Sequence, residues 1–275
     1  MKKVLATDLD GTLFYPKRRK NMMTKKNIAF CRRFIENGNQ LVLVTARSPF
    51  YTKKVEEKIG YPLDVVGMNG AYIVVDDKLI EEHFIDTDLV KLTSLMKEKF
   101  NIQAVMLTST KYPMLLSNPK LNIFKKMFYS IYYKLQGVYG EDHIIDQDLL
   151  DDELANGKIY KVMFFFGLGK KGKKRAQEAH EYLRENYPNE FETSWTHFFV
   201  EITPLSCSKG ESLIKYLDHR GYKKEQTYVV GDSGNDISMF KTFYENSFCM
   251  KHSPKNVKMH AKTIIANVSQ LEEYL

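Results

Sequence analysis

Two aspartates two residues apart, Asp8 and Asp10, stand in the segment DLDGT directly after a short apolar run. Carboxylates that close repel each other unless a cation or a shared proton offsets the charge, and a hard divalent metal is the natural answer. Gly11 permits the sharp turn or close backbone approach such a site requires, and Thr12 adds a hydroxyl. On these residues alone, Asp-Gly is equally well a surface turn. Far along the chain, GDSGND at 231–236 contributes Asp232, Asn235 and Asp236. Placed at the start of a helix, its two acids can face one cation while Asn235 donates an amide hydrogen to a phosphate oxygen. SCSKG at 206–210 sets Lys209 at a helix start, where an ammonium and unpaired backbone N–H groups together suit an anion. Singly, such residues have plain structural uses: Thr45, ending LVLVT at 41–45, caps a strand, Lys209 is a solvated helix residue, Asp236 satisfies a helix dipole. Jointly, the acids and the lysine imply phosphate with Mg²⁺.

The elements that would carry these residues follow from periodicity and breakers. Lys3 to Thr7 reads as a buried strand running into the acidic turn. A helix spans Thr24 to Asn37, with Ile28, Phe30, Phe34 and Ile35 at helical spacing and Gly38 as its stop. LVLVT at 41–45 is a second buried strand ending at Thr45. Ser48 and Pro49 open a helix that Gly60 ends. The alternation resumes late, with a helix from Gly210 to His219, a strand at QTYVV ending before Asp232, a helix from Ile237 to Tyr244, strands at SFCM and TIIA, and a last helix with Ser269 and Glu272 as its capping box. In open parallel sheets ligands bind beyond the carboxyl ends of strands, and three such ends here terminate in oxygen-bearing side chains. The expectation is an α/β, doubly wound (Rossmann-like) parallel-sheet core over 1–84 and 199–275, with an inserted α+β domain over 85–198. The insert is read as a helix from Asp86 to Phe100, a strand from Gln103 to Leu107, an aromatic helix from Asn122 to Leu135, a strand from Tyr160 to Phe166 and a helix from Lys171 to Asn186.

Composition narrows the setting. The 275 residues are 43% hydrophobic and 27% charged, which suits globular folding and excludes a disordered chain. No apolar run approaches the ~18 residues of a membrane span, and Asp8 interrupts what would be a signal-peptide core, so the chain is read as cytoplasmic. Cys31, Cys207 and Cys249 form no CxxC spacing and are read as reduced and structural. A net charge of +7 suits a phosphorylated metabolite or nucleic acid and decides neither. The histidines show no pair at tight metal-ligand spacing, so no transition-metal site is proposed.

Together these four segments resemble the four motifs of the haloacid dehalogenase-like hydrolase superfamily, and their order, the insert and the GDSGND form resemble its Cof-type phosphatases with a large α/β cap. The resemblance implies that Asp8 is a nucleophile forming an aspartyl-phosphate and that Asp10 protonates the leaving alcohol, then activates water. It also implies Mg²⁺ held by Asp8, the Asp10 backbone carbonyl and Asp232, with Asp236 assisting through water or orientation. The Leu9 backbone, Thr45, the Ala46 backbone, Lys209 and Asn235 would bind phosphate. The function expected is a Mg²⁺-dependent phosphatase of a small cytosolic phosphomonoester, a sugar phosphate first and a pyridoxal or flavin-type phosphate next. A phosphosugar mutase, or a non-catalytic module binding a phosphate ligand or nucleic acid, is the alternative. No membrane or nucleic-acid partner is expected.

Several segments stand apart from that pattern. Lys17, Arg18, Arg19 and Lys20 form a basic run read as a solvated face, or as a steering patch for an anionic substrate, and KKGKKR at 170–175 as a solubilised helix start. Asn69 and Gly70 in MNGA are read first as a hairpin turn, and second as an approach to substrate. Phe124, Phe128 and Tyr132, with a hinge segment at Trp195, His197 and Phe198, are read as cap core before any stacking surface. His252 and Asn267 receive no role.

Overall fold

A computed structural model describes residues 2–17, 21–117, 140 and 142–275. The chain divides into two units, one of Met1–Glu82 and Cys207–Leu275, the other holding the described residues from His83 to Ser206.

The first unit is built on an eight-stranded sheet. From the N-terminus come β1 (Val4–Thr7), α1 (Lys25–Glu36), β2 (Gln40–Val44), α2 (Pro49–Ile59), β3 (Asp64–Gly67), β4 (Tyr72–Val75) and β5 (Lys78–Glu82). After the second unit follow α6 (Lys209–Arg220), β12 (Thr227–Gly231), α7 (Ile237–Thr242), β13 (Ser247–Met250), α8 (Lys255–Lys258) and β14 (Thr263–Ile265). The strand order is β14-β13-β12-β1-β2-β3-β4-β5, parallel from β14 through β3 and antiparallel beyond. The chain leaves β1 toward β2 on one side and returns to β12 on the other, so the order reverses at β1, where α/β sheets open their ligand crevice.

Local chemistry sets these elements. β1 and β2 are buried on both faces and read as unbroken Val/Leu/Ala runs, as central parallel strands must. The Thr24 side chain accepts the Asn27 N–H at the start of α1, and Gly60 ends α2 in the left-handed conformation. Val4, Ala6, Val42, Val44, Val66 and Ile73 pack with Leu213, Tyr216 and Phe240 into one core. α6 is anchored at both ends: Arg220 in its last turn grips the buried Asp64, which also accepts the Tyr216 hydroxyl at 2.8 Å, while Lys209 begins it.

The second unit has a six-stranded sheet in the order β10-β11-β9-β6-β7-β8, antiparallel except for the β7/β8 pair. Its elements are α3 (Leu89–Phe100), β6 (Ala104–Ser109), β7 (Leu115–Leu116), β8 (Ile144–Ile145), α4 (Gln147–Asn156), β9 (Ile159–Phe165), α5 (Gly169–Asn186), β10 (Phe191–Thr196) and β11 (Phe199–Pro204). Met96, Leu107, Leu150, Phe164, Ala179 and Ile202 lie in its core.

Several expectations change here. The limit drawn at 198/199 would cut the β10/β11 hairpin at its turn, and the unit runs on to Ser206 because β11 pairs with β9 in the same sheet. Trp195 and His197 therefore belong to a hairpin, with His197 in a left-handed turn, and not to a hinge. The helix α4 has no counterpart among the expected elements. Ser269 caps nothing: the C-terminal turn starts from Asn267, whose side chain accepts the Ser269 hydroxyl, while Glu272 pairs with Arg33. The aromatic helix at 122–135, with Phe124, Phe128 and Tyr132, and the residues Arg18, Arg19 and Lys20 lie outside the described residues. Lys17 and the lysines at the start of α5 are exposed. The three cysteines are buried and form no disulfide, and burial pushes the Cys31 thiol up to about 12. Among the described residues no helix is long and apolar enough to cross a membrane.

Candidate active site

Asp8 follows β1, Thr45 follows β2 and Asp232 follows β12, three neighbouring parallel strands whose ends are in register, Thr7 lying beside both Val230 and Leu43. Register alone thus gathers residues separated by more than half the chain.

At the centre stands Lys209, fully buried at the first position of α6. Its Nζ donates to Asp8 Oδ1 and to Asp236 Oδ1, each at 2.6 Å. The expected anion-holding ammonium is thus committed to two carboxylates. Asp236 is wholly buried, and its second oxygen accepts the backbone N–H groups of Asp232 and Ser233, both at 2.9 Å. Asp236 and Ser233 make the capping box of the turn after β12, the device expected at the C-terminus and found here. With both oxygens engaged by protein donors, Asp236 is built to orient Lys209 and the Asp232 backbone.

Carboxylate oxygens of Asp8, Asp232 and Asp236 lie within 4.8 Å of one another. Three carboxylates against one ammonium leave two uncompensated negative charges, which matches a divalent cation, and the all-oxygen donor set is the one hard cations prefer. The electrostatics report the same excess. Burial, countered by Lys209 and reinforced by Asp236 and Asp232, pushes the Asp8 carboxyl up to about 8. Burial and Asp236 also raise Asp232, against the opposing pull of His252 and Lys209. Lys209 is raised because the attraction of Asp236 and Asp8 outweighs the burial that would discharge it. A raised carboxyl and a raised ammonium in one pair are consistent: the lysine stays charged, and the surplus carboxylate takes up a proton unless a cation is bound.

Gly11 shows why only glycine serves in DLDGT. Its φ is +78°, and a Cβ there would sit 2.3 Å from Asp232 Oδ2. The Thr12 hydroxyl donates to Asp232 Oδ1 at 3.3 Å. The turn after β1 therefore docks directly against the carboxylate that follows β12.

Asp10 is exposed, and its carboxylate lies outside the cluster of three. Arg47 donates to both of its oxygens, from Nε at 2.6 Å and from Nη2 at 2.7 Å, while the guanidinium stacks on the Tyr51 ring at 4.3 Å. The Thr45 side chain accepts the Arg47 N–H at 3.1 Å. Leu9 is fully buried in the turn and Ala46 half-buried between Thr45 and Arg47. Asn235, exposed, donates to Asn69 Oδ1 at 3.0 Å.

A family model of haloacid dehalogenase-like hydrolases matches residues 5–271. The chain belongs to that family. It is 26% identical over 260 residues to the 5-amino-6-(5-phospho-D-ribitylamino)uracil phosphatase of Bacillus subtilis, across 87% of this chain and 84% of that one. It is 23% identical over 267 residues to the pyridoxal phosphate phosphatase of Escherichia coli, across 96% and 93%. In fold it matches a haloacid dehalogenase-like hydrolase from Bacteroides thetaiotaomicron with a TM-score of 0.78 at 18% identity, covering 100% of this chain and 99% of that one.

Two residues of this hydrolase escaped sequence reasoning. Arg47 had a signal, since it lies two positions after Thr45 and so at the same strand end. His252, left without a role, had a similar signal in lying two positions after the strand at SFCM: its Nε2 is 3.5 Å from Asp232 Oδ2 and its ring stacks on Tyr15 at 4.0 Å, a neighbourhood made by a loop after β13 and a turn after β1.

Proposed function

We propose that this hydrolase is a Mg²⁺-dependent phosphatase of a small phosphomonoester, acting through an aspartyl-phosphate on Asp8. The observation that carries the reading is the buried Asp8 carboxylate held by Lys209 at the end of β1, with Asp232 beside it. With Oδ1 committed to Lys209, Oδ2 is the attacking atom. It forms a bond to phosphorus as the bond from phosphorus to the leaving oxygen breaks, and the electron pair on that oxygen takes a proton from Asp10. Asp10 then accepts a proton from water, whose oxygen attacks phosphorus and breaks the bond to Asp8, restoring the carboxylate and releasing inorganic phosphate.

Asp8, Asp232 and the Asp10 backbone carbonyl would hold Mg²⁺, which supplies positive charge to the oxygens of the transferring group. Asp236 serves by orienting Lys209. The Leu9 and Ala46 backbones, Thr45 and Asn235 would bind the phosphate, while Lys209, bridging Asp8 and Asp236, lends its charge to the same edge. The two curated relatives are named for small phosphorylated substrates, which supports a metabolite of that kind, a sugar phosphate or a pyridoxal or flavin-type phosphate. The second unit is assigned to substrate selection.

The test is phosphate release from a panel of metabolite phosphates and p-nitrophenyl phosphate, with Mg²⁺ or EDTA, by wild type and Asp8→Asn. Release that needs Mg²⁺ and vanishes in Asp8→Asn is expected. Release that persists in Asp8→Asn, or phosphate retained on a bisphosphorylated product in place of release, refutes the assignment.

A further inference from the structure

MNGA has an unusual backbone. Met68, Asn69 and Gly70 all have positive φ, at 50°, 59° and 108°. Bulky residues avoid this region, so the surroundings must hold the turn there. The holds are visible. The Asn69 N–H donates to the Thr45 carbonyl at 3.0 Å, and the Ser212 hydroxyl donates to the Gly70 carbonyl at 3.1 Å. A Cβ on Gly70 would lie 2.3 Å from that same hydroxyl oxygen. The turn is thus fastened to the end of β2 and to α6, the helix that carries Lys209. It is the hairpin between β3 and β4, as first read, but a hairpin whose tip is tied into the catalytic edge.

What the tip delivers is one side-chain oxygen. Asn69 Oδ1 accepts Asn235 Nδ2 at 3.0 Å, and Asn235 Oδ1 accepts the Ser233 hydroxyl at 2.6 Å. An asparagine amide can flip, and the flipped form would show its oxygen, an acceptor, to a phosphate dianion. Here each end of the amide has a partner, the Ser233 hydroxyl at its oxygen and Asn69 Oδ1 at its nitrogen. One amide hydrogen remains to be presented.

We propose that Asn69 is a positioning residue for Asn235, holding that amide in the orientation that donates to the substrate phosphate. The inference rests on the phosphatase reading for the identity of the anion. It assigns a role in the chemistry to a hairpin turn that a purely structural account leaves idle, and it links the strand end after β2, through the turn, to the loop after β12.

The test is a double-mutant cycle read by calorimetric binding of inorganic phosphate in the presence of Mg²⁺, together with phosphate release from p-nitrophenyl phosphate. Asn69→Gly keeps the left-handed backbone and removes the side chain, so its melting temperature should stay near wild type. Its phosphate Kd and its KM should rise roughly five- to tenfold, as expected for loss of an oriented hydrogen bond to a charged ligand. Asn235→Ala should show a similar rise, and the double variant no more than Asn235→Ala alone, because Asn69 acts only through Asn235. Additive losses, or an Asn69→Gly with unchanged phosphate Kd, overturn the proposal while leaving the phosphatase reading intact. Phosphate binding that follows the cycle without release from any ester overturns the phosphatase reading and keeps the coupling. A wild type that binds no phosphate overturns both.

Discussion

Replacing Asp8 by asparagine should abolish phosphate release and, without metal, make the protein more stable. Asp8, Asp232 and Asp236 share the single ammonium of Lys209, and burial with the neighbouring carboxylates lifts Asp8 from an ordinary 3.8 to about 8. The unfolded chain releases this proton near the ordinary value, while the folded chain keeps it to near 8. Between those limits the folded state binds more protons than the unfolded state, so stability falls as pH rises, by about 1.4 kcal/mol per pH unit. The loss is absent below the lower limit, reaches roughly 4 kcal/mol near neutral pH and levels off above the upper one. Asparagine cannot ionise, and its carbonyl oxygen still accepts from Lys209, so Asp8→Asn escapes the slope.

The assay is urea unfolding in EDTA near pH 5 and near pH 8. The advantage of Asp8→Asn over wild type should widen by roughly 4 kcal/mol between them. Mg²⁺ should stabilise wild type more at the higher pH, where it no longer competes with the proton, and should stabilise Asp8→Asn less. Lys209→Met supplies the opposite sign: it leaves buried carboxylates without their ammonium and should cost roughly 3–5 kcal/mol near neutral pH. Parallel pH dependence of wild type and Asp8→Asn would falsify the charge-excess account, as would an Asp8→Asn that is the less stable near pH 8.

Two other substitutions probe separate parts of the same edge. Gly11→Ala forces a Cβ into the Asp232 carboxylate at a left-handed φ, so it should lower stability by roughly 1–3 kcal/mol and weaken Mg²⁺ binding, read by calorimetry; unchanged metal affinity would show that this close approach is not needed. Arg47→Met removes both hydrogen bonds that hold the Asp10 carboxylate while keeping an apolar side chain against Tyr51, and kcat should fall roughly a hundredfold with KM little changed, whereas a loss confined to KM would place Arg47 with substrate binding.

Sequence by itself determined the parts whose physics is local. Apolar runs of strand length, Ser48-Pro49 at a helix start, and glycines after α1, α2 and α6 specify the alternation of a doubly wound sheet, because caps, breakers and burial act within a few residues. The meeting of three candidate residues is legible for the same reason: in a parallel sheet the turn after each strand opens on one edge, so Asp8, Thr45 and Asp232 come together once their strands are placed. Tertiary structure alone decided how they are partnered. Lys209 could have faced an anion and instead bridges Asp8 and Asp236; Asp236 could have faced a cation and instead takes two backbone N–H groups from the loop after β12; and the Asn69-Gly70 hairpin could have ended in solvent and instead grips Asn235. It likewise decided that the second unit closes with β10 and β11, since pairing between distant strands is what completes its sheet. Spacing along the chain says which side chains reach the same edge, but which donor meets which acceptor depends on side-chain directions across strands and helices far apart in sequence, and those exist only once the core has packed.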